Sequence, residues 1–184
     1  MARLYEYVMR SRGLSRETFQ TEFPHPFLVV QHVDDAPKSQ WSFKTQTLST
    51  TGIEFVEMLE REGLTIAPEA ARYEVFPVAK QPGNPWPERI SVGRARNSDI
   101  VLSDNSVSKL HAHFIVNDSG HMTVVDAGSR NGVRLGKKKL NASEPEKVRS
   151  GDTITFGAAA LTFLGPAELF DLIGELLSSD TATG

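Results

Sequence analysis

The chain has 184 residues and a formal net charge of −3, with 39% hydrophobic and 23% charged residues. This composition excludes an intrinsically disordered chain and is typical of one globular domain with extensions. The absence of cysteine excludes disulfides and cysteine-based metal or redox sites. We expect a cytoplasmic protein, because the N-terminal residues do not form an export signal and no apolar run is long enough to cross a membrane.

The first 71 residues are predicted to be an extension of mixed helix and loop, to which the sequence assigns no function. Apolar side chains recur with helical spacing in residues 4–9, and Pro26 precedes a strand-like run, FLVVQHV, at 27–33. A further helix is predicted over 51–63, where a capping box marks the start of the helix, apolar residues recur on one side, and a glycine marks its end.

From residue 72 to residue 165 the sequence changes to short β-type runs separated by turn residues. The runs are YEVFPVA, RISVGR, DIVL, HAHFIV, HMTVVD, GVRL, DTITFG and AALTFL. Their spacing of about 8–12 residues is typical of an antiparallel sandwich or barrel. Residues 166–184 return to an amphipathic helix and a frayed tail, because Pro166 suits a first turn and leucines follow on one face. The fold class predicted is therefore mainly β.

The charge of the chain is segregated along its length. Residues 1–71 carry 7 basic and 10 acidic side chains, residues 72–165 carry 13 and 9, and residues 166–184 carry 0 and 4. The densest basic run, GSRNGVRLGKKK at 128–139, contains no acid. Such a run is most often a solvated loop, although it also raises the question of an anionic partner.

The stretch SVSKLHAHF, residues 106–114, places hydroxyl, ammonium and imidazole groups at the start of a predicted strand. Alternation along that strand puts His111 and His113 on one face. We consider three interpretations of this stretch: a nucleophilic hydrolase site, a metal site and an anion-binding site.

A hydrolase site could be assembled from Ser108, His111 and Asp126 as nucleophile, base and orienting acid. The sequence lacks the G-x-S-x-G turn that exposes a serine nucleophile between a strand and a helix. Three residue types this common occur together by chance in most sequences. We therefore predict that the protein is not an enzyme.

A metal site would use His111 and His113, with His121 or Asp126 as a further ligand. Two histidines do not make a site, and the sequence does not identify the third ligand. A histidine in a loop more often has a structural role, donating a hydrogen bond to the backbone. We therefore predict no metal and no cofactor.

An anion-binding site is favoured because its components recur in three loops of the predicted sandwich. A phosphate group needs a guanidinium for charge and geometry, and hydroxyl or backbone N–H donors for its remaining lone pairs. Arg94 follows one strand, Ser108 and Lys109 precede another, and residues 129–132 form a turn. Whether these three loops converge is a question for the tertiary structure.

Five segments together resemble the forkhead-associated (FHA) domain in their order and spacing. They are VGR at 92–94, SDIVL at 98–102, SVSKLHAHF at 106–114, VVDAGSRNGV at 124–133 and SGDTITFG at 150–157. The resemblance covers roughly residues 73–164. It implies an FHA-like, eleven-stranded antiparallel β-sandwich whose loops at one end bind phosphothreonine peptides without catalysis.

The resemblance implies a binding role for five residues. Arg94 corresponds to the family's phosphate-binding arginine and Ser108 to its phosphate-binding serine. Lys109 and Arg130 occupy positions where a further contact with phosphate is expected. Asn131 corresponds to the asparagine that holds the peptide backbone beside the phosphothreonine.

Four further residues are implied as structural support of the site. His111 corresponds to a histidine that braces the binding loops, Gly93 and Gly132 allow the required backbone conformations, and Asp126 fixes the turn. The chain departs from the family where Val133 replaces a threonine and loses its hydroxyl hydrogen bond. It departs again at Lys109, where arginine is frequent and lysine supplies a point charge.

These implications predict a non-catalytic adaptor that binds a phosphothreonine-containing protein or a Ser/Thr kinase, and neither nucleic acid nor a membrane. Lysines in residues 134–140 are expected to favour acidic residues beside the phosphothreonine. The main alternative is a phosphate-independent interaction module of the same fold. A nucleic-acid surface over residues 130–139 is disfavoured because exposed aromatic residues for base stacking do not alternate with the cations.

Overall fold

The computed structural model describes residues 2–31, 61, 70, 72–116 and 121–178. Within these ranges the chain forms two β-sheets, with three helices whose full extent is described. The helix predicted over 51–63 lies outside the described residues except for Arg61. In the part of the chain that the structure describes, no helix is long and apolar enough to cross a membrane.

One sheet has seven strands and the other has five. The order of the larger sheet is β1 (Ala2–Arg3), β3 (Tyr73–Pro77), β2 (Phe27–Gln31), β12 (Ala159–Leu164), β11 (Thr153–Phe156), β8 (Val133–Leu135) and β9 (Lys138–Lys139). The order of the smaller sheet is β10 (Pro145–Lys147), β7 (Met122–Asp126), β6 (Ala112–Val116), β4 (Ile90–Gly93) and β5 (Ile100–Val101). The predicted β-sandwich is confirmed. The described residues form twelve strands rather than the predicted eleven, and one described pair, β4 with β5, runs parallel rather than antiparallel.

The sheets pack face to face because period-two alternation places an apolar side chain inward at every second position. In β6, Ala112 and Phe114 are fully buried while His113 and Ile115 are half-buried. Buried residues of both sheets form one core, which includes Leu28, Phe76, Val92, Phe114, Val124, Val133, Ile154, Phe156 and Phe163. This core fixes the strand ends from which the loops of the candidate site emerge.

A helical layer covers the outer face of the seven-stranded sheet. It consists of α1 (Leu4–Ser11), α2 (Arg16–Glu22) and α3 (Pro166–Ser178). The predicted apolar stripe of α3 packs inward through Leu169 and Ile173, which are buried with Val8 and Phe19. The helix α2 begins after Ser15, whose hydroxyl accepts a hydrogen bond from the Thr18 N–H at 3.2 Å.

The strand β2 joins the N-terminal region to the sandwich across the predicted domain boundary at residue 72. It lies between β3 and β12, so that residues on both sides of the boundary share one sheet. Leu28 faces the core between the sheets, whereas Phe27 and Val29 face the helical layer. Burial on both faces explains why this strand is a continuous apolar run rather than an alternating one.

Candidate anion-binding site

Three loops meet at one end of the sandwich and are held together by hydrogen bonds. The Arg94 N–H, just after β4, donates to the Ser108 carbonyl at 2.9 Å. The Arg130 N–H, in the turn after β7, donates to the Ser108 hydroxyl at 3.1 Å, and the Asn131 side-chain amide donates to the Ser106 carbonyl at 2.7 Å. The structure therefore brings together the three loops in which the sequence places anion-binding groups.

The side chain of Arg94 is exposed and partly fixed. Its Nε–H donates to the Val107 carbonyl at 3.2 Å, which orients the guanidinium and uses one of its five N–H donors. Lys109 and Arg130 are also exposed, on the two loops beside it. The site therefore presents cations on a backbone that is already hydrogen-bonded.

The hydroxyl of Ser108 has a defined role in this geometry. It accepts from the Arg130 N–H, and a hydroxyl that accepts one bond keeps its own proton for donation. Ser108 is half-buried, so this donor lies at the base of the site rather than on its rim.

His111 is fully buried and braces two of the loops. Its Nδ1 accepts from the Ser108 N–H at 2.9 Å, so that Nε2 carries the proton and donates to the Gly132 carbonyl at 3.0 Å. Desolvation by burial lowers the pKa of His111, which keeps the imidazole neutral.

The same bonds count against the hydrolase and metal interpretations. Both ring nitrogens of His111 are bonded to backbone groups, so neither is directed at a serine hydroxyl or an aspartate. His113 is half-buried further along β6, where it is opposite Val125 in the register. Among the described residues, no group of three histidine, aspartate or glutamate side chains could hold a metal ion.

Asp126, at the end of β7, is buried and organises the turn that follows it. One carboxylate oxygen accepts from the Ser129 N–H at 2.8 Å and the other from the Val133 N–H at 3.2 Å. Gly132 has a φ of 81°, and its N–H donates to the Ser129 hydroxyl at 3.0 Å. The Val133 side chain is buried in the core between the sheets, which suits an apolar residue in place of the family's threonine.

Ser106 is a functional candidate that the sequence did not identify. Its carbonyl holds Asn131, and its hydroxyl accepts from the Ala158 N–H at 2.8 Å, in the turn between β11 and β12. The Ser106 N–H donates to the buried Asp104 carboxylate at 2.6 Å, which is an Asx turn. The signal for this turn is the Asp-x-Ser spacing, which contains no residue that itself binds phosphate.

The basic run at 128–139 begins in the turn that contains Arg130 and continues as a hairpin, since β8 pairs with β9. Lys138 forms an ion pair with Glu146 of β10, the next strand along the chain, which belongs to the other sheet. The guanidinium of Arg134 donates to the Lys137 carbonyl at 3.3 Å, and the Lys139 side chain packs beside Gly132. Arg134 and Lys138 therefore already have partners within the chain.

Gly93 is required where β4 passes beneath the Ser108 loop. A Cβ atom at this position would lie 2.1 Å from the Lys109 carbonyl oxygen, which belongs to the backbone. We expect Gly93→Ala to lower the free energy of unfolding by about 1–3 kcal/mol and to weaken anion binding at this site, because the Ser108 loop must move. Chemical denaturation measures the first effect and calorimetric titration the second.

Gly174 supplies the matched control for this substitution. It lies in α3, and a Cβ atom there would meet no atom within 4 Å apart from its chain neighbours and the backbone of its own helix. Gly174→Ala should raise the stability by about 0.5–1 kcal/mol, because alanine is the better helix former. Equal effects of the two substitutions would show that the close approach at Gly93 is unimportant.

Comparisons with known proteins found a matching family profile and several similar proteins. The profile of the FHA domain matches residues 90–157. The oxoglutarate dehydrogenase inhibitor of Corynebacterium glutamicum is 43% identical over 79 residues, which are 42% of this chain and 52% of that protein. The glycogen accumulation regulator GarA of Mycolicibacterium smegmatis is 38% identical over 77 residues, which are 41% of this chain and 46% of that protein.

The chain thus spans about half the length of the curated relatives it matches. Among solved structures, the FHA domain of the CT664 protein from Chlamydia trachomatis has a TM-score of 0.45 and 17% identity. That match covers 76% of this chain and 96% of the other. The profile match assigns residues 90–157 of this chain to the forkhead-associated (FHA) domain family.

Proposed function

We propose that the protein is a non-catalytic adaptor that binds a phosphothreonine in a partner protein or a Ser/Thr kinase. The observation that carries this proposal is the hydrogen-bonded convergence of Arg94, Ser108 and the Arg130–Asn131 turn at one end of the sandwich. A phosphate group brings about −1.5 to −2 charges and three acceptor oxygens. The convergent loops offer a guanidinium, an ammonium and a hydroxyl donor, which match those needs.

Each group has a separate part in the proposed complex. Arg94 supplies charge and a planar set of donors, Lys109 and Arg130 supply further positive charge, and Ser108 donates its hydroxyl proton. Asn131 has a second side-chain N–H and a carbonyl oxygen besides the N–H bonded to Ser106. These remaining groups can form hydrogen bonds with the backbone N–H and carbonyl groups of an extended peptide. Such bonds are the same whatever side chains the peptide carries.

The setting of this activity is proposed from the relatives and from the chemistry of phosphorylation. The names of two relatives refer to inhibition of oxoglutarate dehydrogenase and to regulation of glycogen accumulation. Those names support a regulatory protein that acts by binding. We place it in the cytoplasm, where an ATP-dependent kinase would phosphorylate the partner.

Two alternatives are less well supported. A phosphate-independent module of the same fold has no need of a guanidinium, a hydroxyl and an amide converging at one end. A nucleic-acid surface over the β8–β9 hairpin is disfavoured because Lys138 is paired with Glu146 and Arg134 is bonded within the hairpin. We therefore retain phosphothreonine as the ligand.

The test compares three forms of one peptide, selected from a degenerate phosphothreonine library and made with phosphothreonine, threonine or glutamate at the fixed position. We expect the phosphothreonine form to bind and the threonine form to show no measurable binding. The glutamate form should bind at least roughly tenfold more weakly, because a carboxylate loses at least one charge-assisted bond of about 1.5–3 kcal/mol. Equal affinities for the phosphothreonine and threonine forms would favour the phosphate-independent module.

A further inference from the structure

A groove of about 780 Å³ lies beside the proposed phosphate site. One wall is the loop between β3 and β4, which contains Pro82, Pro85 and Trp86, and the other is the segment after Arg94 that includes Arg96. Lys109 and Leu110 also line it. Of the residues proposed to bind phosphate, only Lys109 lines the groove. Phosphate binding therefore does not explain the rest of the lining.

Two exposed apolar side chains line the groove. In the part of the chain that the structure describes, the large exposed hydrophobic residues are Trp86, Leu110 and Val116. The first two line the groove, with 66% and 54% of their surfaces accessible. An isolated exposed hydrophobic residue is ordinary, whereas two on one concave surface indicate a binding site for an apolar group.

The loop that carries Trp86 is held in place from beneath by Asp99. This buried carboxylate accepts from the Gln81 N–H at 2.8 Å, the Asn84 side-chain amide at 2.7 Å and the Ser91 N–H at 2.7 Å. Lys80 also pairs with it at 3.2 Å. Burial alone would raise the pKa of Asp99, but these hydrogen bonds outweigh it and lower that pKa, so the carboxylate stays charged and bonded. A groove with a fixed wall binds a ligand at a smaller cost in conformational entropy.

The groove has positive charge on its accessible surface. Its charged lining residues are Arg96, Lys109 and Asp99. Arg96 and Lys109 are exposed, while the carboxylate of Asp99 is buried under its hydrogen bonds. A ligand in this groove would therefore be favoured by negative charge near its apolar group.

The groove and the proposed phosphate site are parts of one surface. Arg94 is followed directly by the groove wall, and Ser108 is followed directly by Lys109 and Leu110. The Ala95 N–H donates to the Lys109 carbonyl at 3.1 Å and ties the two segments together. A peptide whose phosphothreonine lay on Arg94 and Ser108 would bring neighbouring residues to this groove within a few steps of about 3.3 Å each.

We propose that this groove binds an apolar side chain, adjacent to an acidic one, in the partner segment that flanks the phosphothreonine. The apolar side chain packs against Trp86 and Leu110, and the acidic one faces Arg96 and Lys109. This inference rests on the proposed function and names the flanking residues that the same partner must carry. The proposal assigns selectivity for these flanking residues to the groove beside the β3–β4 loop, whereas the sequence had suggested the lysines in residues 134–140.

The test uses the full chain and a peptide library in which a fixed phosphothreonine is flanked on both sides by randomised residues. The wild-type protein should select an apolar residue and an acidic residue at a constant distance from the phosphothreonine. Trp86→Ala should keep the selection for phosphothreonine but lose that for the apolar residue. Its affinity for the wild-type-selected peptide should fall about tenfold or more.

Val116→Ala is the matched control, because it removes an exposed apolar side chain at the far end of β6 from the site. It should leave the selected sequence and the affinity unchanged. If Trp86→Ala selects the same flanking residues as the wild type, the groove does not contribute to recognition of the residues beside the phosphothreonine. Loss of all phosphothreonine binding on Arg94→Ala, which tests the proposed function, is a separate outcome of the same assay.

A second measurement reports on the groove directly. The chain contains two tryptophans, so Trp41→Phe leaves Trp86 as the single fluorescent indole. The selected peptide should shift the emission of Trp86, and the same peptide with alanine at the apolar position should not. No shift with either peptide would overturn the proposal. A shift that depends on protein concentration, with a doubled mass on sizing, would overturn it in favour of a second copy of this chain as the occupant.

Discussion

Arg94→Ala is expected to abolish phosphothreonine binding while leaving the sandwich folded. The guanidinium is exposed, and its described hydrogen bond is a single one to the Val107 carbonyl, so its loss removes little from the folded state. The backbone bond from Arg94 to Ser108 does not depend on the side chain. Two charge-assisted bonds to phosphate, at about 1.5–3 kcal/mol each, correspond to a loss of roughly a hundredfold or more in affinity.

Calorimetric titration with a library-selected phosphothreonine peptide measures this loss, and thermal denaturation checks the fold. Arg149→Ala is the matched control, because it removes the same charge from an exposed residue before β11, at the other end of that strand from the site. The control should bind within about twofold of the wild type, since a distant surface charge is screened by salt. An unchanged affinity in Arg94→Ala would contradict the proposed function.

His111→Ala is expected to produce the largest loss of stability among the substitutions considered. The imidazole is fully buried and holds two loops through the Ser108 N–H and the Gly132 carbonyl. The Gly157 N–H also donates to the Gly132 carbonyl, so the heavier penalty is the unsatisfied N–H of Ser108. An unsatisfied buried donor and a new cavity together cost about 2–5 kcal/mol.

Urea denaturation of wild-type and variant proteins measures this difference. His113→Ala is the control, because His113 lies on the same strand but is only half-buried, and its loss should cost under about 1.5 kcal/mol. Phosphopeptide affinity should fall in His111→Ala even where the protein is folded, since Ser108 and the Gly132 turn are no longer braced. Similar stability losses in the two variants would show that the bracing role is not special to His111.

The β-sandwich was predictable because its strands carry a local signal. Alternation of apolar residues in segments such as HAHFIV places one face toward a core, whatever the strand pairs with. The sequence missed the two-residue strand β1, which lies at the edge of its sheet. It also missed β9 and β10, which are edge strands too. They contain exposed lysines and a proline, which protect an edge from pairing with another chain but carry no apolar alternation.

The pairing of β2 with β3 could not be predicted from local pattern. The strand β2 is separated from β3 by about forty residues of sequence, yet the two pair along their whole length. Pairing of this kind depends on contacts between residues that are far apart in the sequence. The run FLVVQHV contains no local pattern that specifies its partner strand. A sequence-based division at residue 72 therefore separates two strands that are neighbours in the folded protein.

The sequence by itself determined the chemistry of the candidate site: a guanidinium after one strand, a serine and a lysine before another, and an Asn-Gly turn after a third. It did so because turn residues and strand ends are local features. Only the tertiary structure decided that these groups converge, that Ser106 holds Asn131, and that Trp86 and Leu110 share a groove with Arg96. These contacts join segments that are far apart along the chain, and their geometry is set by the packing of two sheets around one core.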